Sequence, residues 1–149
     1  MRQKIIMIAL ISINALYAQR GETWDASESV YAVSTIDLEP NIDAQYLNQL
    51  KRTWYNNMEV FKSEGLIEEF HIYKSINQYD GDFDLLLLVK YKNLAILDSN
   101  PKNNKIWKKA QDKARKVISQ EEQQNITATF PKLRTILDQK FMREISFIK

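Results

Sequence analysis

The chain has no cysteine, one histidine, three glycines and three prolines among its 149 residues. Without cysteine there is no disulfide, no thiol nucleophile and no cysteine-ligated zinc or iron–sulfur centre. The lipid-bearing cysteine that a bacterial lipoprotein needs is missing as well. Three glycines do not make a phosphate-cradling loop, and no serine stands in a nucleophile-elbow context. An excess of one charge is lacking too. Of the 21 basic residues, Arg2 and Lys4 lie in the first few positions, and the remaining 19 equal the 19 acidic ones. A near-neutral domain offers no electrostatic footprint for nucleic acid or for an anionic membrane surface. What is plentiful is aromatic: three Trp, seven Tyr and six Phe, enough for a packed core rather than a disordered chain.

The N-terminus has its own grammar. Arg2 and Lys4 precede Ile5 to Ile13, apolar throughout except Ser12, and Leu16-Tyr17-Ala18 leads into Gln19-Arg20-Gly21. This is the basic, apolar and cleavage-site order of a secretory signal. The apolar run is too short to span a bilayer, which takes about 20 residues. Residues 1–18 therefore read as a signal peptide, 19–29 as a polar leader and 30–149 as one domain, exported to the periplasm or beyond, with no membrane span after signal removal.

Within the domain, Val30 to Leu38 is rich in β-branched residues and reads as a strand closed by Glu39-Pro40. Asn41 is placed to cap a helix with Asp43 in its first turn. Leu47, Leu50, Trp54, Met58 and Phe61 recur at three and four and mark the inward face of that helix, with Gly65 as its stop. Glu69 to Ile76 alternates, Phe70 and Ile72 against His71 and Tyr73. Asp80-Gly81 supplies a turn, and Leu85 to Val89 is a solid apolar strand, the sign of cover on both faces. Asn93 caps a short turn through Leu97, and Asp98 to Asn104 reads as a polar loop. Ile106 to Glu121 reads as a second helix with Trp107, Ala110, Ala114, Val117 and Ile118 on one side. After a break at Asn125 to Pro131, Lys132 to Gln139 reads as a short helix and Arg143 to Lys149 as a last strand.

The order β-α-β-β-α-β is the split plan of α+β ferredoxin-like folds. It predicts a four-stranded antiparallel sheet with two long helices on one face. The doubly apolar strand at Leu85–Val89 asks for cover on the other face, and a second copy of the sheet supplies it, making a homodimer. In Tyr31-Ala-Val-Ser-Thr-Ile-Asp, Leu50 to Trp54, Lys62 to Leu66, the stretch from Asp82 to Ala95 and Met142-Arg-Glu-Ile, the chain resembles the dimeric α/β-barrel superfamily. That superfamily contains antibiotic-biosynthesis monooxygenase-like and stress-responsive barrel proteins. The resemblance covers residues 30–149 and implies two facing sheets, with cavities between sheet and helices that hold small molecules or heme. Heme-degrading members place their heme histidine on a helix, whereas His71 falls on a strand, so no cofactor is carried over.

Candidate chemistry is sparse. His71 is the one side chain suited to moving protons, and its plain alternative is a hydrogen-bonded or solvated strand residue. Trp54 and Trp107 lie on the helices' apolar faces, as core or as pocket walls with Tyr31 and Tyr91. Tyr73 shares the face of His71, and Asn93 either orients a polar ligand or caps the next turn. Asp80, Asp82 and Asp84 lack the glycine and distal glutamate of a calcium loop and read as a hairpin turn, so no metal is expected. The resulting expectation is an exported homodimer with a small-molecule pocket between sheet and helices. The readings set beside it are a cofactor-free, monooxygenase-like enzyme acting on a small aromatic substrate with His71 handling protons, and a non-catalytic structural or interaction module.

Overall fold

The computed structural model describes residues 23–76 and 82–148. The signal segment at 1–18, the start of the leader and the Asp80-Gly81 turn lie outside the described residues.

Four strands form the main sheet: β2 (Val30–Leu38), β3 (Glu69–Lys74), β4 (Leu85–Tyr91) and β5 (Arg134–Met142). Their lateral order is β3-β4-β2-β5, with every pair antiparallel. This is the ferredoxin-like arrangement, and β3 and β4 make the expected hairpin. A separate two-stranded ribbon pairs β1 (Trp24–Ala26) with β6 (Ile145–Phe147). The leader is thus tied down by backbone pairing, where composition alone suggested a loose segment.

The first helical stretch is continuous but not uniform. It runs as α1 (Asp43–Leu50), a π-helical segment (Lys51–Tyr55) and α2 (Asn56–Ser63). The N–H of Asn56 donates to the carbonyl of Lys51, five residues back. Asn41 does not cap α1. It adopts φ 63° and turns the chain into the helix, a conformation that Asn tolerates better than most residues. Asp43 does sit in the first turn, where it pairs with Lys74. At the other end Gly65, at φ 72°, completes a Schellman motif. Its N–H donates to Lys62 O at 3.0 Å, and the N–H of Leu66 donates to Phe61 O at 2.9 Å.

Downstream, four expectations are corrected. The supposed loop at Asp98 to Asn104 is mostly helix, because α3 (Pro101–Ala114) starts with Pro at its first position. Asn100 caps it, its side chain accepting from the N–H of Asn103 at 2.9 Å. The second helix then stops at Ala114 instead of Glu121, and Val117 is 57% exposed rather than inward. A new helix, α4 (Gln120–Thr127), is capped by Ser119, whose hydroxyl accepts from Glu122 N–H. Further on, Lys132 to Gln139 is not a helix. After a 3-10 turn (Phe130–Lys132) it is the start of β5. Thr35 pairs with Asp138 and Ile36 with Ile136, leaving Leu137 unmatched in a bulge. The bulge breaks the period-two pattern that would have marked the strand. Among the described residues of the expected strand at 143–149, Ile145–Phe147 is the part that forms a strand, and it joins the ribbon instead of the sheet.

The core lies between the sheet and the helices. Ile36, Leu38, Leu85 and Leu87 meet Tyr46, Leu50, Phe130 and Leu133 in one cluster. Leu66, Ile67, Val89 and Ala110 form a second. Trp54 packs against both. Buried Asp84 fastens the end of β2, its carboxylate accepting from Leu38 N–H at 2.7 Å.

Two outcomes follow for stability. Nothing lies within 4 Å of a Cβ placed on Gly65, so Gly65→Ala meets only backbone strain. It should cost about 1–2 kcal/mol, read from denaturant unfolding. Glu64 accepts from Lys109 Nζ at 2.8 Å and Lys113 Nζ at 2.9 Å, bonds that lower its pKa from the ordinary 4.5 to about 2. A depressed carboxylate contributes fully above its unfolded value and ceases to contribute as pH falls through its folded one. Wild type should therefore melt above Glu64→Gln at pH 6, and thermal scans should show the gap closing between pH 4.5 and 2.

Candidate functional site

On the inward side of the first helical stretch, Tyr46, Leu50, Thr53 and Val60 are buried. Positions 46, 50, 53, 57 and 60 follow one helical stripe, and at 53 and 57 that stripe turns polar. A cavity of about 600 Å³ opens at that level. Its apolar walls are Trp54, Phe130, Pro131 and Ile136, and its polar lining is Thr53, Asn57, Gln123, Thr127 and Arg134. The volume falls in the range of small-molecule sites, about 300–1,000 Å³, and the mix of apolar wall with few polar groups is their usual chemistry. Thr53 and Trp54 come from the π-helical segment, a distortion that recurs at functional sites.

Three elements meet here because each is held by a different force. The floor is β5, whose residues 134 and 136 face the helices because β2 dictates the register. The wall is the first helical stretch, anchored by Tyr46 and Leu50 in the core. The roof is α4, which contains no buried residue and is held mainly by polar contacts. Arg52 pairs with Glu122 and Asn57 Nδ2 donates to Gln123 Oε1 at 3.4 Å, while just past the helix Thr129 Oγ1 donates to Gln49 Oε1 at 3.0 Å. Ile126 adds a partly buried contact to the first core cluster.

The site's polar groups are not all paired. Thr53 donates to Gln49 O at 2.9 Å and Thr127 to Gln123 O at 2.9 Å. Arg134 Nε and Asn57 Oδ1 are buried without a hydrogen-bond partner. The Arg134 guanidinium lies 5.0 Å from the Phe130 ring centre and 5.6 Å from that of Tyr46. Among the described residues no carboxylate pairs with it. Tyr46 beneath it is fully buried, and that burial, partly opposed by Arg134, raises its pKa to about 12.

The residues singled out from sequence are spread over several places. Trp54 lines the cavity. Trp107 and Tyr91 pack in the second core cluster, with Trp107 Nε1 donating to Ile96 O at 2.9 Å. Asn93 caps the 3-10 turn at Leu94–Leu97, accepting from Ala95 N–H at 3.1 Å, and borders a smaller cleft of about 250 Å³. Tyr31, His71 and Tyr73 lie on the opposite face of the sheet, since Phe70 and Ile72 turn inward. There His71 stacks on Tyr73 at 5.7 Å and lies 3.6 Å from Glu69. Arg134, Asn57, Gln123 and Thr127 were missed. The polar interruption of the helical stripe at Thr53 and Asn57 was a readable signal, as was the Ser119-Gln-Glu-Glu122 capping box that starts the roof. Among the described residues no group of acidic or histidine side chains is arranged to hold a metal.

No family model matches the chain, and no curated protein matches it. Solved structures do resemble it. HapK from Hahella chejuensis is 9% identical, over 77% of this chain and 91% of that one, with TM-score 0.46. A dimeric protein of ferredoxin-like fold from Bacteroides fragilis is 7% identical, over 83% and 99%, with TM-score 0.39. A NIPSNAP-like domain protein from Burkholderia xenovorans is 12% identical, over 79% and 83%, with TM-score 0.40. Of these, the Bacteroides fragilis protein is a dimer of ferredoxin-like fold. At these identities and scores they say nothing about activity.

The roof's dependence on its cap can be measured. Ser119→Ala removes a side-chain cap worth about 1 kcal/mol. Amide exchange across residues 120–127 should speed about fivefold, while the β2 amides keep their protection.

Proposed function

We propose that this chain is an exported homodimeric binding protein that holds a small molecule between sheet and helices. The observation that carries the reading is the cavity under α4, with its apolar walls and, in its lining, Arg134, a cation that no carboxylate pairs with among the described residues. A purely structural module would need a filled interior instead. The enzyme reading finds less support, because His71 lies across the sheet from the cavity.

Support for a homodimer comes from the sheet's open face. Register places three rows of side chains there: Glu69, Lys90, Tyr31 and Met142; His71, Leu88, Val33 and Lys140; Tyr73, Leu86, Thr35 and Asp138. The centre is aliphatic and the rim carries both charge signs, which suits an isologous contact between two copies. Exposed apolar residues continue from Met142 into the ribbon, with Ile145 47%, Phe147 80% and Ile148 51% exposed. Export rests on the order of Arg2, Lys4, the Ile5–Ile13 run and Ala18. Among the described residues no helix is long and apolar enough to cross a membrane.

Native mass spectrometry of the protein purified gently from its own host compartment tests all three parts. The expected species is a dimer, begun near residue 19, carrying an added small-molecule mass. A ligand-free monomer with an intact N-terminus would overturn the reading. Leu88→Lys should give a folded monomer by sedimentation, since it sets a charge at the centre of the contact.

A further inference from the structure

From the same cavity we infer the class of ligand: a small aromatic carboxylate. The inference rests on the binding reading above and narrows it. Arg134 is the cation lining the cavity, and among the described residues it has no carboxylate partner. A guanidinium offers parallel N–H donors in a planar fork, which match a carboxylate two to two. The Phe130 and Tyr46 rings stack against the guanidinium at 5.0 and 5.6 Å and hold it in place without neutralising it. The walls are Trp54 and Phe130, with Ile136 opening to solvent at 44% exposure. Flat aromatic surface suits such walls. An aliphatic chain would forgo the ring contacts, and a phosphate alone would leave the apolar wall uncovered.

The probes are 6-hydroxy-2-naphthoate and its neutral counterpart 6-(hydroxymethyl)-2-naphthol, titrated into the full chain by calorimetry and by 15N NMR. The acid should bind about 10- to 100-fold more tightly than the alcohol, as expected for a charged hydrogen-bonded pair. Arg134→Gln should erase that preference while leaving alcohol binding in place. If that variant does not fold, the wild-type spectrum decides. The Arg134 Nε–H resonance should move on adding the acid and stay still with the alcohol. Equal binding of acid and alcohol would overturn the anionic assignment and leave the pocket standing. Acid binding that shifts residues of the open sheet face and not Arg134 would overturn it as well. Failure of both probes to bind would remove the pocket reading together with the ligand class.

Discussion

Everything in this fold is positioned by the double pairing of β2. It lies between β4 and β5 and is hydrogen-bonded along nearly its whole length on both sides. A strand paired on both edges has no freedom of register, because a slip of one residue would send its inward side chains outward. Ile36 and Leu38 therefore point at the helices together with Leu85 and Leu87. The same pairing determines which residues of β5 face inward, and so delivers Arg134 to the helical side.

The cavity is a consequence of that geometry meeting an interrupted helix. A continuous apolar stripe on the first helical stretch would close down on β5 and fill the space with side chains. Thr53 and Asn57 stand there instead, and the chain winds as a π-helix around Trp54. The helix end of the domain adds α4, which bridges the gap through an ion pair and one side-chain hydrogen bond, with a second from Thr129 just past its end. Such contacts on a partly exposed helix are individually weak, so the roof is the least firmly held wall of the site. The floor and the inner wall belong to the core and share its stability.

The sheet's two faces carry different work. The inward face joins the core clusters and the cavity. The outward face has an aliphatic centre at Val33, Leu86 and Leu88, rimmed by His71, Tyr73 and charges of both signs. The apolar run of Leu85 to Val89 is explained by both faces at once: 85, 87 and 89 serve the core, while 86 and 88 serve the open face. His71 and Tyr73, conspicuous in the sequence, belong with that open face.

The sequence by itself determined the parts governed by local chemistry. β-Branched composition, alternation and an unbroken apolar run placed β2, β3 and β4 in turn, the 3.6 period placed the first helical stretch, and Gly65 marked a helix end because it takes φ 72° without a side-chain penalty. The strand-helix order then implied the ferredoxin-like plan. The later part of the chain was harder to read, since α4 buries no residue and β5 carries a bulge at Leu137 that hides its alternation. Neither has an apolar pattern strong enough to declare itself. Of the candidate site only Trp54 was singled out, although the polar break at Thr53 and Asn57 and the Ser119 cap were there to be read. Arg134 is one basic residue among 21 until pairing with β2 turns it inward, and Asn57 is an ordinary helical asparagine until α4 folds over it. Local rules assign elements. Only tertiary pairing decided which polar atoms were left buried without partners, because that depends on which distant segments come to lie on either side of them.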